Sequence, residues 1–308
     1  MKNKKTSHHK PIKLSGIERE GLLITTFGAN AELEDEHGNV VYCHIRKNSD
    51  PVITGDRVYW LPEQDGTGSI VGHLPRKSLL YSGENAYKLK LIAANIDAII
   101  IVTAPPPVLS EDMIDRYLIA SENLSIPAVI LFNKIDLLTQ QNTDEIEQRL
   151  TVYAKIGYRV IYSSTYTHDG LAQLDHYLQD KTGVLVGASG VGKSSIIAKL
   201  TREQAIKIAE LSHATQLGKH TTTTTHLYHL ANGGNLIDSP GVREFGLRHV
   251  NKDQVLNGFI EFKSHLQQCK FRDCRHQTEP GCAIKQAVKD KKITEQRFQS
   301  YCKILAEK

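Results

Sequence analysis

The stretch that most constrains this chain is Val184-Leu185-Val186-Gly187-Ala188-Ser189-Gly190-Val191-Gly192-Lys193-Ser194-Ser195. The apolar residues read as a strand, the glycines as a loop, and Lys193-Ser194-Ser195 as the first turn of a helix. Gly187, Gly192, Lys193 and Ser194 satisfy the spacing G-x-x-x-x-G-K-S/T of a phosphate-binding loop. Small residues there let successive backbone N–H groups curl around a phosphate. The positive end of the following helix points at the same anion. Lys193 then reaches the β- and γ-phosphates, and the Ser194 hydroxyl binds Mg²⁺. The glycines do not fall as G-x-G-x-x-G, so this is not a dinucleotide-binding Rossmann loop. A plain glycine turn would have little use for Lys-Ser at the helix start. The loop lies past the middle of the chain, and the other motifs must account for that position.

Asn133-Lys134-Ile135-Asp136 directly follows the buried-type strand Ala128–Phe132 and reads as N-K-x-D. The Asp136 carboxylate can accept two hydrogen bonds, from the ring N–H and the 2-amino group of guanine. Adenine offers neither, so the motif selects guanine. Ser163-Ser164, after the strand Arg159–Tyr162, are placed to close over the base through backbone contacts. Asp238-Ser239-Pro240-Gly241 follows the strand Asn235–Ile237 as D-x-x-G, with an aspartate for the Mg²⁺ site and a glycine N–H that senses the γ-phosphate. Between these motifs lie Gly218-Lys219-His220 and five threonines at 221–225. One threonine completes the Mg²⁺ shell; Thr222 and Thr223 are the candidates, and the run of five leaves the choice open. Val242 stands where many GTPases carry a glutamine that orients the attacking water. Valine cannot do this, and His220 is the candidate to position that water.

The order along the chain is N-K-x-D, Ser-Ser, phosphate loop, threonine loop, D-x-x-G. Most GTPases place the phosphate loop first and N-K-x-D last, so this is a circular permutation. Permutation is mild when the original termini lie close together. It also makes the segment after Asp238 run straight into the C-terminal region, so nucleotide state is expected to move that region directly.

With 308 residues the chain is long enough for two or three domains. The formal net charge of +4 permits a nucleic-acid partner without requiring one. No apolar run approaches the roughly 18–20 residues of a membrane span, and the N-terminus is polar and lysine-rich, so the cytosol is expected. Residues 1–13 read as a basic flexible tail, either a solubilising end or an RNA-contacting arm. Gly21–Phe27, Ala31–Glu34, Val40–Ile45, Arg57–Leu61 and Ser69–His73 read as five short strands, which suggests a small barrel with the OB-fold as first choice. Residues 74–90 are basic and read as a linker or strand-edge segment. From Ile96 to Ile237 strands alternate with helices, which implies a mostly parallel sheet covered on both faces. After Val250 the chain turns helical and basic, with Lys270, Arg272, Arg275, Lys285, Lys289, Lys291, Lys292 and Arg297. Within it Cys269-x₄-Cys274-x-His276-x₅-Cys282 offers three thiolates and an imidazole, the tetrahedral Cys₃His set of Zn²⁺. All four positions are filled, so the metal is structural.

Taken together these motifs resemble a known family, the circularly permuted ribosome-biogenesis GTPases called RsgA (also YjeQ or YloQ). The likeness covers nearly the whole chain: the OB-like start, N-K-I-D at 133–136, G-A-S-G-V-G-K-S-S at 187–195, G-K-H-T-T-T at 218–223, D-S-P-G at 238–241 and the zinc spacing at 269–282. The resemblance implies an OB-fold domain over 14–80, a permuted P-loop GTPase domain over 81–248 and a helical zinc domain over 249–308. It implies GTP and GDP as ligands with Mg²⁺ and one structural Zn²⁺. It further implies a cytoplasmic bacterial enzyme, monomeric and not membrane-bound, that binds the small ribosomal subunit and its rRNA late in assembly and is released on hydrolysis. Its intrinsic turnover is expected to be low and raised by the subunit. The competing reading is a GTP-gated RNA- or protein-binding module not tied to the ribosome.

Overall fold

The computed structural model describes residues 16–47, 49–83, 89–107, 109–201, 224–239 and 250–308. The N-terminal tail, His220, Thr222, Thr223 and Gly241 lie outside these described residues.

Five strands, β1 (Arg19–Phe27), β2 (Asn30–Glu34), β3 (Val40–Ile45), β4 (Arg57–Pro62) and β5 (Gly68–His73), close a barrel. The neighbour order is 1-2-3-5-4, and β1 pairs back onto β4. The β3–β5 pair is parallel and the other pairs are antiparallel, the arrangement expected of an OB-fold. Alternation along each strand sends Leu23, Leu33, Val58, Trp60 and Ile70 inward to form the barrel core.

The basic stretch after β5 is not a plain linker. β6 (Leu79–Gly83) and β7 (Leu89–Ala94) form an antiparallel hairpin. Leu80, Ile92 and Ala93 are buried in the main core beneath it. The charged residues among them, such as exposed Lys77 and Lys90, obscure these apolar positions in the sequence.

A second set of strands runs β8 (Ala98–Thr103), β9 (Ala128–Phe132), β10 (Arg159–Tyr162), β11 (Thr182–Val186), β12 (His226–His229) and β13 (Asn235–Asp238). Their spatial order is 10-9-8-11-13-12, with all neighbours parallel except the β12–β13 pair. All six residues of β8 are buried, as a strand covered on both faces requires. Helices α1 (Glu111–Leu124), α2 (Gln140–Ile156), α3 (Leu171–Tyr177) and α4 (Lys193–Leu200) cover the sheet. Ser110 caps α1 by accepting from the Met113 N–H at 3.3 Å. Thr139 and Asn142 cap α2 reciprocally, and Gly157 ends it in the left-handed region.

The barrel and the sheet are continuous. β12 pairs antiparallel with β1 through Thr25 and His226, so one eleven-stranded array runs from β10 to the barrel.

The C-terminal region carries α5 (Lys252–Asn257), α6 (Ala283–Lys289) and α7 (Glu295–Ala306). Phe259, Phe262, Ile284, Tyr301 and Ile304 pack into the same core as α1 and β8. Arg297, counted above among the basic residues of this region, is only 1% exposed. It pairs with Asp115 of α1 and, at 2.7 Å, with Glu261. The region is therefore fastened to α1 as well as tethered through the segment after Asp238. Among the described residues no helix is long and apolar enough to cross a membrane.

Candidate functional site

The phosphate loop joins β11 to α4 at the centre of the sheet, between β8 and β13. Gly187 has φ +139°, and a Cβ there would sit 2.2 Å from the Val102 carbonyl oxygen of β8. Gly192 has φ +99°, and its Cβ would meet Asn133 Nδ2 at 2.4 Å. Both positions need glycine for backbone angle and for space. Lys193 Nζ donates to the carbonyls of Gly187 and Ala188, each at 2.9 Å, and so curls back over the loop. Ser189 and Gly190 are exposed at the loop tip, as are Ser194 and Ser195 at the start of α4. Val191 is buried beneath them.

The N-K-I-D motif at 133–136 lies against this loop. Asn133 is fully buried, and its Nδ2 donates to the Val191 carbonyl at 2.9 Å across 58 residues of sequence. Lys134 Nζ donates to Gly190 O at 2.6 Å. Lys134 sits in the left-handed region (φ 65°), which starts the short 3-10 turn Ile135–Leu137. Ser163 Oγ donates to Asn133 Oδ1 at 3.3 Å, and the Ile135 N–H donates to Ser163 O at 3.2 Å. Ser164 hydrogen-bonds Asp136 through its hydroxyl. That hydroxyl also accepts from the N–H groups of Tyr166 and Thr167 at 3.0 and 3.1 Å. The two serines thus brace residues 133–136.

On the other flank, Asp238 ends β13 beside Leu185 of β11. It is 6% exposed, and its Oδ1 is buried without a hydrogen-bond partner. Burial raises its pKa, while the nearby Lys193 charge and the Ser239 N–H pull it down. A buried carboxylate oxygen left open beside Lys193 fits a site for a hydrated divalent cation. Ser239 Oγ ties this strand end to the Leu185 carbonyl at 2.9 Å.

One supporting residue had no motif to mark it. Tyr117 of α1 is 1% exposed and hydrogen-bonds the Gly187 backbone. It reads in sequence only as an apolar position of an amphipathic helix.

The four residues at 269–282 converge. Their ligand atoms all lie within 4.8 Å of one another. His276 Nδ1 is 3.5 Å from Cys269 Sγ and 3.4 Å from Cys282 Sγ. Tetrahedral Zn²⁺ with ordinary bond lengths places N and S ligand atoms about 3.5 Å apart, so the set fits that metal. Backbone N–H groups of Ala283 and Lys285 point at Cys269 and Cys282 sulfurs at 3.3 and 3.5 Å, as thiolates favour. We expect one equivalent of zinc per chain by elemental analysis. A strong chelator should release it and make residues 250–308 protease-sensitive, since structural zinc is coupled to folding. Full retention of the protected C-terminal fragment after complete zinc removal would contradict this.

Comparison with known proteins agrees with the geometry. The family model for the RsgA GTPase matches residues 73–248. The small ribosomal subunit biogenesis GTPase RsgA of Ectopseudomonas mendocina is 46% identical over 295 residues, covering 94% of this chain and 86% of its own. The protein of the same name from Hahella chejuensis is 45% identical, covering 93% and 84%. The crystal structure of YjeQ from Thermotoga maritima superposes with a TM-score of 0.73 at 30% identity, covering 94% of this chain and 98% of that one. That of YloQ, described as a circularly permuted GTPase, gives 0.71 at 27% identity, covering 98% and 97%.

Proposed function

The chain belongs to the RsgA family of GTPases, and from that premise we propose that it hydrolyses GTP on the small ribosomal subunit late in assembly and leaves the subunit when hydrolysis is complete. The observation that carries the nucleotide chemistry is the Asn133–Val191 hydrogen bond, which locks the guanine-selecting motif to the phosphate loop. The Asp136 carboxylate would accept from the guanine N1–H and 2-amino groups, with the side-chain stem of Lys134 along the base. Backbone N–H groups of residues 188–193 would surround the β-phosphate. Lys193 would leave the Gly187 and Ala188 carbonyls for the β- and γ-phosphates, a move its flexible stem allows. Ser194 and Asp238 would hold Mg²⁺, with Thr222 or Thr223 completing the set. The ion supplies charge neutralisation along the phosphates. The Gly241 N–H would sense the γ-phosphate, and His220 would orient the attacking water where Val242 cannot. Cys269, Cys274, His276 and Cys282 would hold one Zn²⁺ that shapes the C-terminal region.

The barrel and the basic C-terminal region are the surfaces we assign to rRNA, acting in the cytoplasm as a monomer. The relatives' shared name supports the ribosomal reading over a GTP-gated module with another partner. The test is stimulation. Purified small subunits should raise GTP turnover many-fold, while large subunits and bulk RNA should not. Equal stimulation by all three would favour the general RNA-binding module.

A further inference from the structure

The threonine run ends at Thr225, directly before β12, and the barrel holds that end. The Thr225 carbonyl accepts from Thr25 Oγ1 at 2.8 Å and from Thr54 Oγ1 at 3.1 Å. The two donors are 5% and 1% exposed. Thr25 belongs to β1, just past the register shift at Leu23–Thr25, and its backbone faces His226 across the seam. Thr54 sits in the turn before β4, fixed on two sides. The Ala94 N–H donates to Thr54 O at 3.0 Å, and the Gly55 N–H to Leu23 O at 2.9 Å. Buried Asp56 closes the same turn. It accepts from the Ile53 N–H at 2.8 Å and from two guanidinium N–H groups of Arg76 at 2.7 Å each. Further along β12, His229 Nε2 meets Glu34 of β2 at 2.6 Å.

A carbonyl has two lone pairs, and here two barrel hydroxyls point at one oxygen. His226, the next residue, stands opposite Asp238 of β13 in the antiparallel pair. We propose that Thr25 and Thr54 are positioning residues for GTP hydrolysis. The barrel, through these two hydroxyls, fixes the start of β12 and with it the register of Asp238, the residue proposed for the Mg²⁺ site. The barrel is then part of the hydrolytic geometry as well as a docking module. By reciprocity, whatever shifts the barrel against β12 alters the nucleotide site, and the reverse. This inference rests on the chain's being a GTP hydrolase. Neither threonine touches substrate.

The double variant T25V/T54V keeps the β-branched shape and removes both donors. Single-turnover GTP hydrolysis should fall about tenfold, the loss of two neutral hydrogen bonds expressed as a rate. Each single variant should lose less than about threefold, because the other hydroxyl still holds the carbonyl. GDP affinity and KM should stay within about twofold, since the phosphate loop and Asp136 are untouched. T25S/T54S should restore the rate. Amide exchange across 224–229 should be faster in the valine pair. A wild-type rate in the valine pair overturns the proposal. So does an equal loss in the serine pair, a parallel fall in GDP affinity, or unchanged exchange. If the unmodified chain hydrolyses no GTP, the functional reading fails instead, and exchange alone judges the clamp.

Discussion

Asp136→Asn should lower GTP affinity by on the order of 10³-fold or more, while affinity for xanthosine triphosphate rises. The reasoning is a count of donors and acceptors. Guanine presents two donors on this edge, N1–H and the 2-amino group. A carboxylate accepts both; an amide accepts one and sets its own N–H₂ against the other. Asp136 is exposed, open to a ligand, and a site built to hydrogen-bond its ligand's donors rejects one that lacks them by about 10⁴–10⁵. Xanthine carries a carbonyl in place of the 2-amino group, so the same amide matches it. The surroundings make this a clean exchange. Asn133, Lys134 and the two serines hold the loop through contacts that do not use the Asp136 charge, apart from the Ser164 hydroxyl, which can also donate to an amide oxygen. Competition of GTP and xanthosine triphosphate against a fluorescent guanine nucleotide, in the wild type and the variant, measures both arms. Loss of GTP binding with no gain for xanthosine triphosphate would mean that the loop had collapsed and that Asp136 does not read the base.

The parts legible in the sequence are those in which function fixes residue types over a short span. The phosphate loop, N-K-I-D and the cysteine spacing each need particular side chains within fourteen residues or fewer, so their chemistry shows without any fold. The parallel strands were also readable, because burial on both faces makes β8 and β9 continuous apolar runs. Contacts between distant segments were not. The seam from β1 to β12 rests on the pairing of Thr25 with His226, which leaves no periodic trace. The 79–94 hairpin lies in a basic stretch whose charges obscure its buried Leu80, Ile92 and Ala93. Arg297 reads as one more surface cation in a basic run until its two acidic partners, from positions 115 and 261, are brought to it.

That arginine carries the largest stability effect we expect. Arg297→Met should destabilise the chain by about 3–5 kcal/mol, because it leaves buried carboxylates without their counter-charge. Asp115 is fully buried and also accepts from the Tyr153 hydroxyl at 2.9 Å. The guanidinium lies over the Phe259 ring at 4.3 Å. Burial opposes the Arg297 charge, and Asp115 and Glu261 more than offset it, so its pKa is raised. The partners must therefore be replaced together. Arg297→Met combined with Asp115→Leu, Glu261→Met and Tyr153→Phe, the last because its hydroxyl otherwise loses its Asp115 partner, should recover most of the loss, since desolvation of the ions cancels much of their attraction. Urea unfolding of the single and combined variants decides this, and a single-variant loss below about 1 kcal/mol would place Arg297 with ordinary surface pairs. The network also links α1 to the C-terminal region and bears on any coupling between that region and the phosphate loop. Asp115 grips that region while Tyr117, two residues on, supports Gly187. One helix thus joins the C-terminal region to the phosphate loop. Motion that begins after Asp238 would work against this joint, so the combined variant should enlarge the C-terminal region's response to nucleotide, read as amide exchange over 250–308 with GDP against a GTP analogue, even where it restores stability.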